Sequence, residues 1–271
     1  MSKKGWASIV FLCVIGGLAL VVPMLPFWDP NSFDPNLLLE PHAPSWGHWM
    51  GTDDLNRDLL LRSIYGAQIS LLVGLVSVFI SITVGTFVGL LAGYFGGWVD
   101  TLSMRLVDIM MAIPAIFLIL TIQVMFTPSI WNVILVIGFT GWMGVARLVR
   151  SEVLSIKERS FITAARARGI GTLSLIKRHI LPHTINPIIV AATLGVGGAI
   201  LTESVLSFLG LGVQPPHASW GNMLQNSLNY MGDAPWMAIV PGVLITLTVV
   251  SFNFIGDDLR GYFQHDSHAS R

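Results

Sequence analysis

Six long apolar stretches, separated by shorter polar segments, dominate the pattern of the sequence. They run over Trp6–Phe27, Ile69–Gly93, Ile109–Phe126, Trp131–Ala146, Ile185–Gly212 and Trp236–Gly256. A helix needs about 20 mostly apolar residues to cross the hydrocarbon layer, and each stretch reaches or approaches that length. Because backbone groups in lipid must bond within their own segment, each stretch is predicted to be a helix. The predicted fold class is an all-α polytopic membrane protein with six transmembrane helices.

The composition agrees with a membrane protein and excludes several other classes. Hydrophobic residues make up 53% of the chain and charged residues 11%. The net charge is zero, so there is no electrostatic case for binding nucleic acid. The lone Cys13 excludes an internal disulfide and a cysteine-based metal cluster.

The distribution of basic residues predicts the orientation. Lys3 and Lys4 precede the first stretch, which is expected to remain as a span because no signal-cleavage site follows it. With the N-terminus in the cytoplasm, 13 of the 15 Lys and Arg residues lie inside, and only Arg57 and Arg62 lie outside. Basic loops favour the cytoplasmic side, so both termini are predicted to be cytoplasmic.

This topology divides the chain into three regions. Residues 1–68 are predicted to hold the first helix and an outer segment, and residues 69–260 a core of five transmembrane helices. Residues 261–271 form a polar cytoplasmic tail, and the core contains a long cytoplasmic loop, residues 147–184.

The outer segment ends in a cluster of charges. Asp53, Asp54, Arg57 and Asp58 follow a turn at Gly51 and precede a helix that an aspartate is predicted to cap. The spacing does not match a calcium loop, so salt bridges are favoured over a bound divalent cation.

Gly85, Gly89 and Gly93 recur at intervals of four in the second span. This small-residue pattern allows another helix to approach closely. It predicts a packing seam, either within this chain or with a partner.

Three residues in later spans are candidates for a pathway or gate. Asp108 lies three residues after Arg105 and can pair with it, and Pro114 is expected to kink the third span. Glu203 is an ionisable residue at membrane depth, for which a functional role and a hydrogen-bonded structural role are both open.

The sequence contains none of the motifs that carry common enzyme chemistry. It has no Gly-rich nucleotide loop, no HExxH zinc motif and no nucleophile elbow. We therefore expect a protein that is not an enzyme and holds no metal.

The cytoplasmic loop concentrates basic charge: eight of the 15 Lys and Arg residues lie between positions 147 and 178. The pattern predicts a helix capped by Ser160 and ended by Gly169 in a left-handed conformation. A second helix is predicted to start at Thr172, and Leu181-Pro182 to break the chain before the fifth span.

The first loop helix is predicted to dock on another protein. Phe161, Ala164, Ala165 and Arg168 fall on one helical face. Anionic lipid is the alternative partner, but alanines insert poorly into lipid, which favours a protein groove with arginines at its rim.

The same loop resembles the EAA loop of bacterial ABC importer permeases, in the pattern AARARG (Ala164–Gly169) followed by Leu181-Pro182. Further segments resemble the C-type subunit of the dipeptide/oligopeptide/nickel permease family. They are GTDDLNRD (Gly51–Asp58), YGAQISL (Tyr65–Leu71), RLVDIMMAIP (Arg105–Pro114), RHILPH (Arg178–His183) and ESVLSFLGLGVQPPHASWGNML (Glu203–Leu224). The resemblance extends from about residue 45 to Arg260.

The resemblance implies a type I importer permease in the bacterial inner membrane. It implies a second homologous permease, two cytoplasmic ATPase subunits that bind ATP and Mg²⁺, and an extracytoplasmic solute-binding protein. This chain itself would bind no cofactor. The residues it implies for coupling to the ATPase are Phe161, Thr163, Ala164, Ala165, Arg166, Arg168, Gly169, Leu181 and Pro182.

Two positions depart from the family pattern. Thr163 replaces a glutamate that could close a capping box with Ser160. Asn56 replaces a glycine, and asparagine tolerates a left-handed turn better than most residues.

The leading hypothesis is thus a peptide importer permease that transports its solute by ATP-driven alternating access. Nickel or another small solute remains an alternative substrate. A self-sufficient secondary transporter would need more ionisable residues near the midplane or an inverted repeat. A membrane-embedded enzyme is disfavoured because no catalytic constellation is present.

Overall fold

Helices form most of the regular structure in the computed structural model. It describes residues 2–25, 29–32 and 39–269, with side chains up to residue 263. Within these ranges the α-helices are α1 (Lys3–Val21), α2 (Leu59–Phe95), α3 (Gly97–Ala112), α4 (Ala115–Val124), α5 (Ile130–Lys157), α6 (Ser160–Ala167), α7 (Thr172–Leu175), α8 (Leu181–Phe208), α9 (Trp220–Ser227) and α10 (Trp236–Ala269). Two 3₁₀ turns, Val22–Met24 and Leu228–Tyr230, follow α1 and α9, and a π-helical turn, Ile176–Ile180, joins α7 to α8.

Among the described residues, five helical segments are long and apolar enough to cross a membrane. They are Lys3–Met24, Leu59–Phe95, Ile130–Lys157, Thr172–Phe208 and Trp236–Phe263. The pair α3 and α4 gives a sixth candidate span if the two helices count as one. The prediction of an all-α polytopic protein is therefore confirmed. The predicted end of the first span at Phe27 lies outside the described residues.

Several helices extend further than the apolar stretches that predicted them. α2 begins at Leu59 instead of Ile69, and α5 continues to Lys157 instead of ending at Ala146. α10 continues past Gly256 to Ala269, so most of the predicted tail is helical. Polar residues mark where a span leaves the hydrocarbon layer, but in water a helix can carry them and continue.

The third span is divided into two helices at Pro114. The axes of α3 and α4 differ by 84°, a sharper change than the predicted kink. Ile113 is extended, with φ −87° and ψ 127°. A residue before proline is pushed out of the helical region, which explains the end of α3 at this point.

The glycines of α2 lie directly against α5. A Cβ atom at Gly85 would lie 2.6 Å from the Trp142 carbonyl oxygen, and one at Gly89 would lie 2.6 Å from the Ala146 carbonyl oxygen. At Gly93, it would lie 2.8 Å from the Cβ atom of Val153. Backbone contact this close requires glycine, and it makes the seam an intramolecular one.

Serines extend the same face of α2 towards its N-terminal end. Ser77 Oγ donates to the Ile134 carbonyl oxygen at 3.1 Å, and Ser81 Oγ donates to the Gly138 carbonyl oxygen at 2.8 Å. These hydroxyl groups bond across the seam between α2 and α5. The bundle is completed by α8, which packs against α2, α5 and α10, and by α1, which packs against α10.

The outer segment covers one end of the bundle. Gly51 has φ +78°, and a Cβ atom there would lie 2.6 Å from the His42 carbonyl oxygen. Asn56 has φ +58°, which confirms that it holds a left-handed turn. The predicted aspartate cap is also confirmed, since Asp58 caps α2 by accepting a bond from the Leu61 N–H at 2.9 Å.

Candidate functional site

The α6–α7 segment, residues 158–175, forms a short helix pair between α5 and α8. The first helix ends as predicted: Gly169 has φ +77°. The Gly169 N–H donates to the Arg166 carbonyl oxygen at 2.9 Å, and the Ile170 N–H donates to the Ala165 carbonyl oxygen at 3.3 Å. This pair of bonds is a Schellman motif, which satisfies the last carbonyl groups of α6 and fixes the chain direction beyond it.

The predicted caps at the starts of both helices are wrong by one residue. Arg159 is the N-cap of α6, without a side-chain bond, and Ser160 is already helical. Likewise Gly171 precedes α7, and Thr172 is its first residue. Thr163 therefore lies one position beyond the third residue of α6. A glutamate there would not close a capping box with Ser160, although it would still complement the helix dipole.

One face of α6 is bound to the spans. Ile162 and Ala165 are buried in a cluster with Val149, Val153 and Ile156 of α5, and with Leu175 and Ile180. Ala165 is only 6% exposed, so it does not belong to the free face on which it was predicted. This cluster links α6 firmly to both α5 and the start of α8.

The opposite face of α6 is exposed. Thr163, Ala164 and Ala167 lie on it, flanked by Phe161 and Arg168. The Phe161 ring stacks on the His183 ring with centroids 5.2 Å apart, and the Arg166 guanidinium lies 5.5 Å from the Tyr94 ring. In α7, Leu173 is 65% exposed. The surface therefore combines small and apolar side chains with a basic rim.

Several basic residues of the predicted cytoplasmic loop are bound within the chain. Arg150 forms a two-pronged ion pair with Asp100, with Nη2 2.6 Å from Oδ2. Lys157 Nζ donates to the Gly93 carbonyl oxygen at 3.2 Å. Arg159 and Arg168 are exposed and form no ion pair with any described residue, so both are available to the basic rim of the exposed α6 face.

The predicted break at Leu181-Pro182 is wrong, because the chain stays helical there. Leu181 N–H donates to the Ile176 carbonyl oxygen, five residues earlier, as expected of a π-helical turn. Pro182 lies in the first turn of α8, where a missing N–H is tolerated. α7, the π turn and α8 thus form one continuous element from Thr172 to Phe208.

The three candidate pathway residues do not form one site. Asp108 pairs with Arg147 of α5 at 2.5 Å, and not with Arg105 as predicted. Pro114 lies at the break between α3 and α4. A cavity of about 230 Å³ lies between α2, α4, α5 and α8, and none of the three residues lines it. The hydroxyl groups around that cavity belong to Ser81, Thr140 and Thr202.

Glu203 is fully buried in a network of serines. Ser207 Oγ donates to Oε1 at 2.7 Å, and Ser70 Oγ donates to Oε2 at 3.1 Å. The Trp220 N–H in turn donates to Ser70 Oγ at 3.3 Å. Glu203 thereby joins α8 and α2, and through Ser70 it joins them to α9. A role in transport for this carboxyl group stays a prediction.

Sequence reasoning missed His183 as a site residue and gave no role to the serines of α2. The serines carried a signal, because Ser70, Ser77 and Ser81 continue the spacing of Gly85 and Gly89 along one helical face. His183 had no such signal, since its contact with Phe161 depends on how α6 folds back towards α8.

The match to a known family covers most of the chain. The family model described as binding-protein-dependent transport system inner membrane component matches residues 85–266. A dipeptide transport system permease protein DppC from Alkalihalophilus pseudofirmus is 43% identical over 95% of this chain and 85% of the relative.

Other relatives have similar names. An oligopeptide transport system permease protein OppC from Haemophilus influenzae is 38% identical over 94% of this chain and 83% of the relative. A DppC protein from Bacillus subtilis is also 38% identical, over 95% of this chain and 81% of the relative.

Solved structures support the fold. A chain from the MetNI methionine ABC transporter in inward-facing conformations has a TM-score of 0.60, with 21% identity, and the match covers 75% of this chain and 97% of that one. With a family match over residues 85–266 and relatives that match nearly the whole length, the chain belongs to the inner membrane components of binding-protein-dependent transport systems.

Proposed function

We propose that the chain is one of two permease subunits of an ATP-driven importer for dipeptides or oligopeptides. The names of the relatives and an identity of up to 43% support this substrate class. The chain would form the translocation pathway together with a second, homologous permease in the bacterial inner membrane. An extracytoplasmic binding protein would deliver the peptide.

The observation that carries the coupling role is the two-sided structure of α6. Its inner face is fixed to α5 and α8 by the cluster around Ile162 and Ala165. Its outer face presents Thr163, Ala164 and Ala167 to a partner. A protein that binds this outer face and moves would therefore move both spans.

The proposed partner at this face is a cytoplasmic ATPase subunit, one for each permease. ATP and Mg²⁺ would bind to the ATPase subunits, and this chain would supply no residue to hydrolysis. The basic rim, with Arg159 and Arg168, suits an acidic margin around the ATPase groove. Both chain termini would lie on the same, cytoplasmic side.

Ala164 provides a direct test of docking. Ala165 is unsuitable because it is buried, so a larger residue there would disturb the fold itself. Ala164→Trp places a large side chain on the outer face, and Ala164→Ser serves as the matched control. We expect Ala164→Trp to lower dipeptide uptake and binding-protein-stimulated ATP hydrolysis by about tenfold or more, as an overpacked interface costs about 1–3 kcal/mol.

The measurement uses the complete importer in vesicles, with a labelled dipeptide and Ni²⁺ as separate substrates. Full uptake and full ATPase stimulation by the Ala164→Trp importer would contradict docking through α6. Uptake of Ni²⁺ without uptake of dipeptide would contradict the substrate class and leave the coupling role intact.

A further inference from the structure

A cleft of about 560 Å³ lies at the predicted cytoplasmic ends of α5, α8 and α10. It adjoins, at Ala191, the cavity of about 230 Å³ that lies among α2, α4, α5 and α8. Of the two, it alone has charged side chains in its wall. The cleft therefore offers a different chemistry from that cavity.

Two opposite charges face the cleft. Glu152 of α5 and Arg260 of α10 both line it, and Asn186 of α8 adds an amide. Within the described part of the chain, neither charge forms an ion pair with the other or with a third residue. Pro187 also lines the cleft, and it provides no N–H for the carbonyl group of His183 in the preceding turn.

The remainder of the wall is apolar. Leu148 lies on α5, Val190 and Leu194 lie on α8, and Phe263 lies on α10. A ligand for this cleft should therefore carry a positive group, a negative group and an apolar body. Charged groups that leave water need oppositely charged partners, which Glu152 and Arg260 provide.

The geometry points to a binding site for a short zwitterionic peptide that enters from the cytoplasmic side. The terminal groups of an extended dipeptide lie up to about 7 Å apart, so its ammonium and carboxylate groups can reach two separated charges. In this assignment Glu152 binds the ammonium group and Arg260 binds the carboxylate group. The inference rests on the proposed function, because it names a second place where the transported class of solute binds.

His183 connects the cleft to the coupling surface. It lines the cleft, and its ring stacks on Phe161 of α6 with an interplanar angle of 27°. A peptide in the cleft lies between α5 and α8, the two spans to which α6 is fixed. Occupancy therefore opposes movement of α5 towards α8 and lowers the rate of ATP hydrolysis.

Binding is tested with L-alanyl-L-leucine and the purified, complete importer without its binding protein. Glu152→Gln and Arg260→Gln should each weaken binding by about tenfold or more, because each removes one charge-assisted contact. Asp257→Asn, an exposed change on α10 outside the cleft, is the control and should leave the affinity unchanged.

Blocked peptides assign each contact without relying on the folding of a variant. N-acetyl-L-alanyl-L-leucine should bind the unmodified importer about tenfold more weakly, and Glu152→Gln should weaken it no further. L-alanyl-L-leucine amide, which lacks the carboxylate group, should likewise bind the unmodified importer about tenfold more weakly, and Arg260→Gln should weaken it no further. Equal affinity for all three peptides would overturn the site. So would competition by phosphatidylethanolamine with no binding of the dipeptide, because the zwitterion bound would then be a lipid headgroup.

Phe161→Leu tests the connection to α6. Because Phe161 also borders the docking surface, the ATPase rate with saturating dipeptide is divided by the rate of the same importer without dipeptide. Phe161→Leu should leave dipeptide affinity unchanged and bring this ratio, which is below one in the unmodified importer, to one. A dipeptide that binds without changing the ATPase rate of that importer would overturn the connection. Normal uptake without any binding from the cytoplasmic side would overturn this inference alone and leave the proposed function in place.

Discussion

At the scale of single residues, Asp53 is the centre of the outer segment. Arg57 Nε donates to its Oδ2 at 2.7 Å, and Arg62 Nε lies 3.2 Å from the same oxygen. Arg62 also donates to the Pro30 carbonyl oxygen and to Asn31 Oδ1. One carboxylate thus pairs with two arginines that are almost fully buried, and Arg62 in turn ties Pro30 and Asn31 to the start of α2.

Asp53→Asn should destabilise the protein strongly. It leaves the buried Arg62 without its paired carboxylate and Arg57 with only the more distant Asp54, and breaking a buried ion pair in this way costs about 3–5 kcal/mol. Asp54→Asn is the matched control, because Asp54 lies 3.8 Å from Arg57 and is more exposed. A partly exposed pair contributes about 1 kcal/mol or less. Thermal unfolding of the purified importer should rank Asp53→Asn well below Asp54→Asn, and equal midpoints would contradict this.

The neighbouring Asp54 should make stability depend on pH in the opposite sense from an ordinary ion-paired carboxylate. Burial, followed by the charge of Asp53, raises the pKa of Asp54 above its ordinary value of 3.8. The folded state therefore holds this proton more tightly, so the contribution of Asp54 to stability falls as pH rises from 3.8 through the raised pKa. Asp54→Asn should flatten the dependence of the thermal unfolding midpoint on pH over that range.

Backbone conformation was the most predictable property at this scale. Gly169 and Asn56 have the left-handed conformations expected of them, because few residue types adopt positive φ without strain. Side-chain caps were less predictable. Ser160 and Thr172 are suitable cap residues, yet each lies one position inside its helix. The burial of Ile162 and Ala165 against α5 determines how α6 lies, and the sequence of α6 does not contain that contact.

At the scale of elements, the contact between α2 and α5 has a simple origin in the sequence. Glycines bring the two backbones together at one end, and serines add bonds between the helices towards the other. In lipid there is little hydrophobic gain from joining two apolar helices, so close packing and such bonds provide the attraction.

Gly89→Ala should weaken this contact. The new Cβ atom would lie 2.6 Å from a carbonyl oxygen and 3.1 Å from a backbone nitrogen of α5, so no side-chain rotation can relieve the clash. The expected cost is about 1–3 kcal/mol. Gly144→Ala is the control, because a Cβ atom there meets no other atom within 4 Å. The thermal midpoint should fall for Gly89→Ala only, and a similar fall for both would argue against the seam.

Element ends were harder to predict than element existence. Hydropathy identified every candidate span of the described residues, but it placed the ends at the first polar residues, whereas α2, α5 and α10 continue past them. Pro114 was correctly taken as an interruption, but the size of the bend is set by packing around α3 and α4, which local sequence does not specify.

At the scale of the whole molecule, the strongest predicted asymmetry is the placement of 13 basic residues on one side of the membrane and two on the other. His183, shortly after the α6–α7 segment, and Arg260 and Phe263 of α10 line one cleft, so the α6–α7 segment and the extension of α10 lie at the same end, as the two predicted cytoplasmic regions require. The outer segment and α9 cover the opposite end, where Trp236 Nε1 donates to the Thr52 carbonyl oxygen.

Single cysteines should report this orientation. With Cys13 replaced by alanine, Ser45→Cys should react in intact spheroplasts with a maleimide that does not cross membranes. Thr172→Cys and Tyr262→Cys should react only after the membrane is opened. All three positions are exposed. The opposite labelling pattern would reverse the proposed orientation, and partial labelling of Tyr262→Cys alone would place the C-terminal helix outside.

Long-range juxtapositions were beyond sequence reasoning. Glu152, His183 and Arg260 lie far apart in the chain and share no motif, yet one cleft brings them together. Their meeting depends on the relative positions of α5, α8 and α10.

The π-helical turn at Ile176–Ile180 sets the rotation of α7 about its helix axis. Such a turn holds one residue more than an α-helical turn, and one residue rotates an α-helix by about 100°. The turn therefore sets the direction in which Leu175 points relative to the faces of α8. Without the extra residue, α7 would be rotated by more than a quarter of a turn, and Leu175 would leave the cluster that it shares with Ile162 and Val153. Insertion of a single residue thus aligns the surface of α6 with the membrane spans.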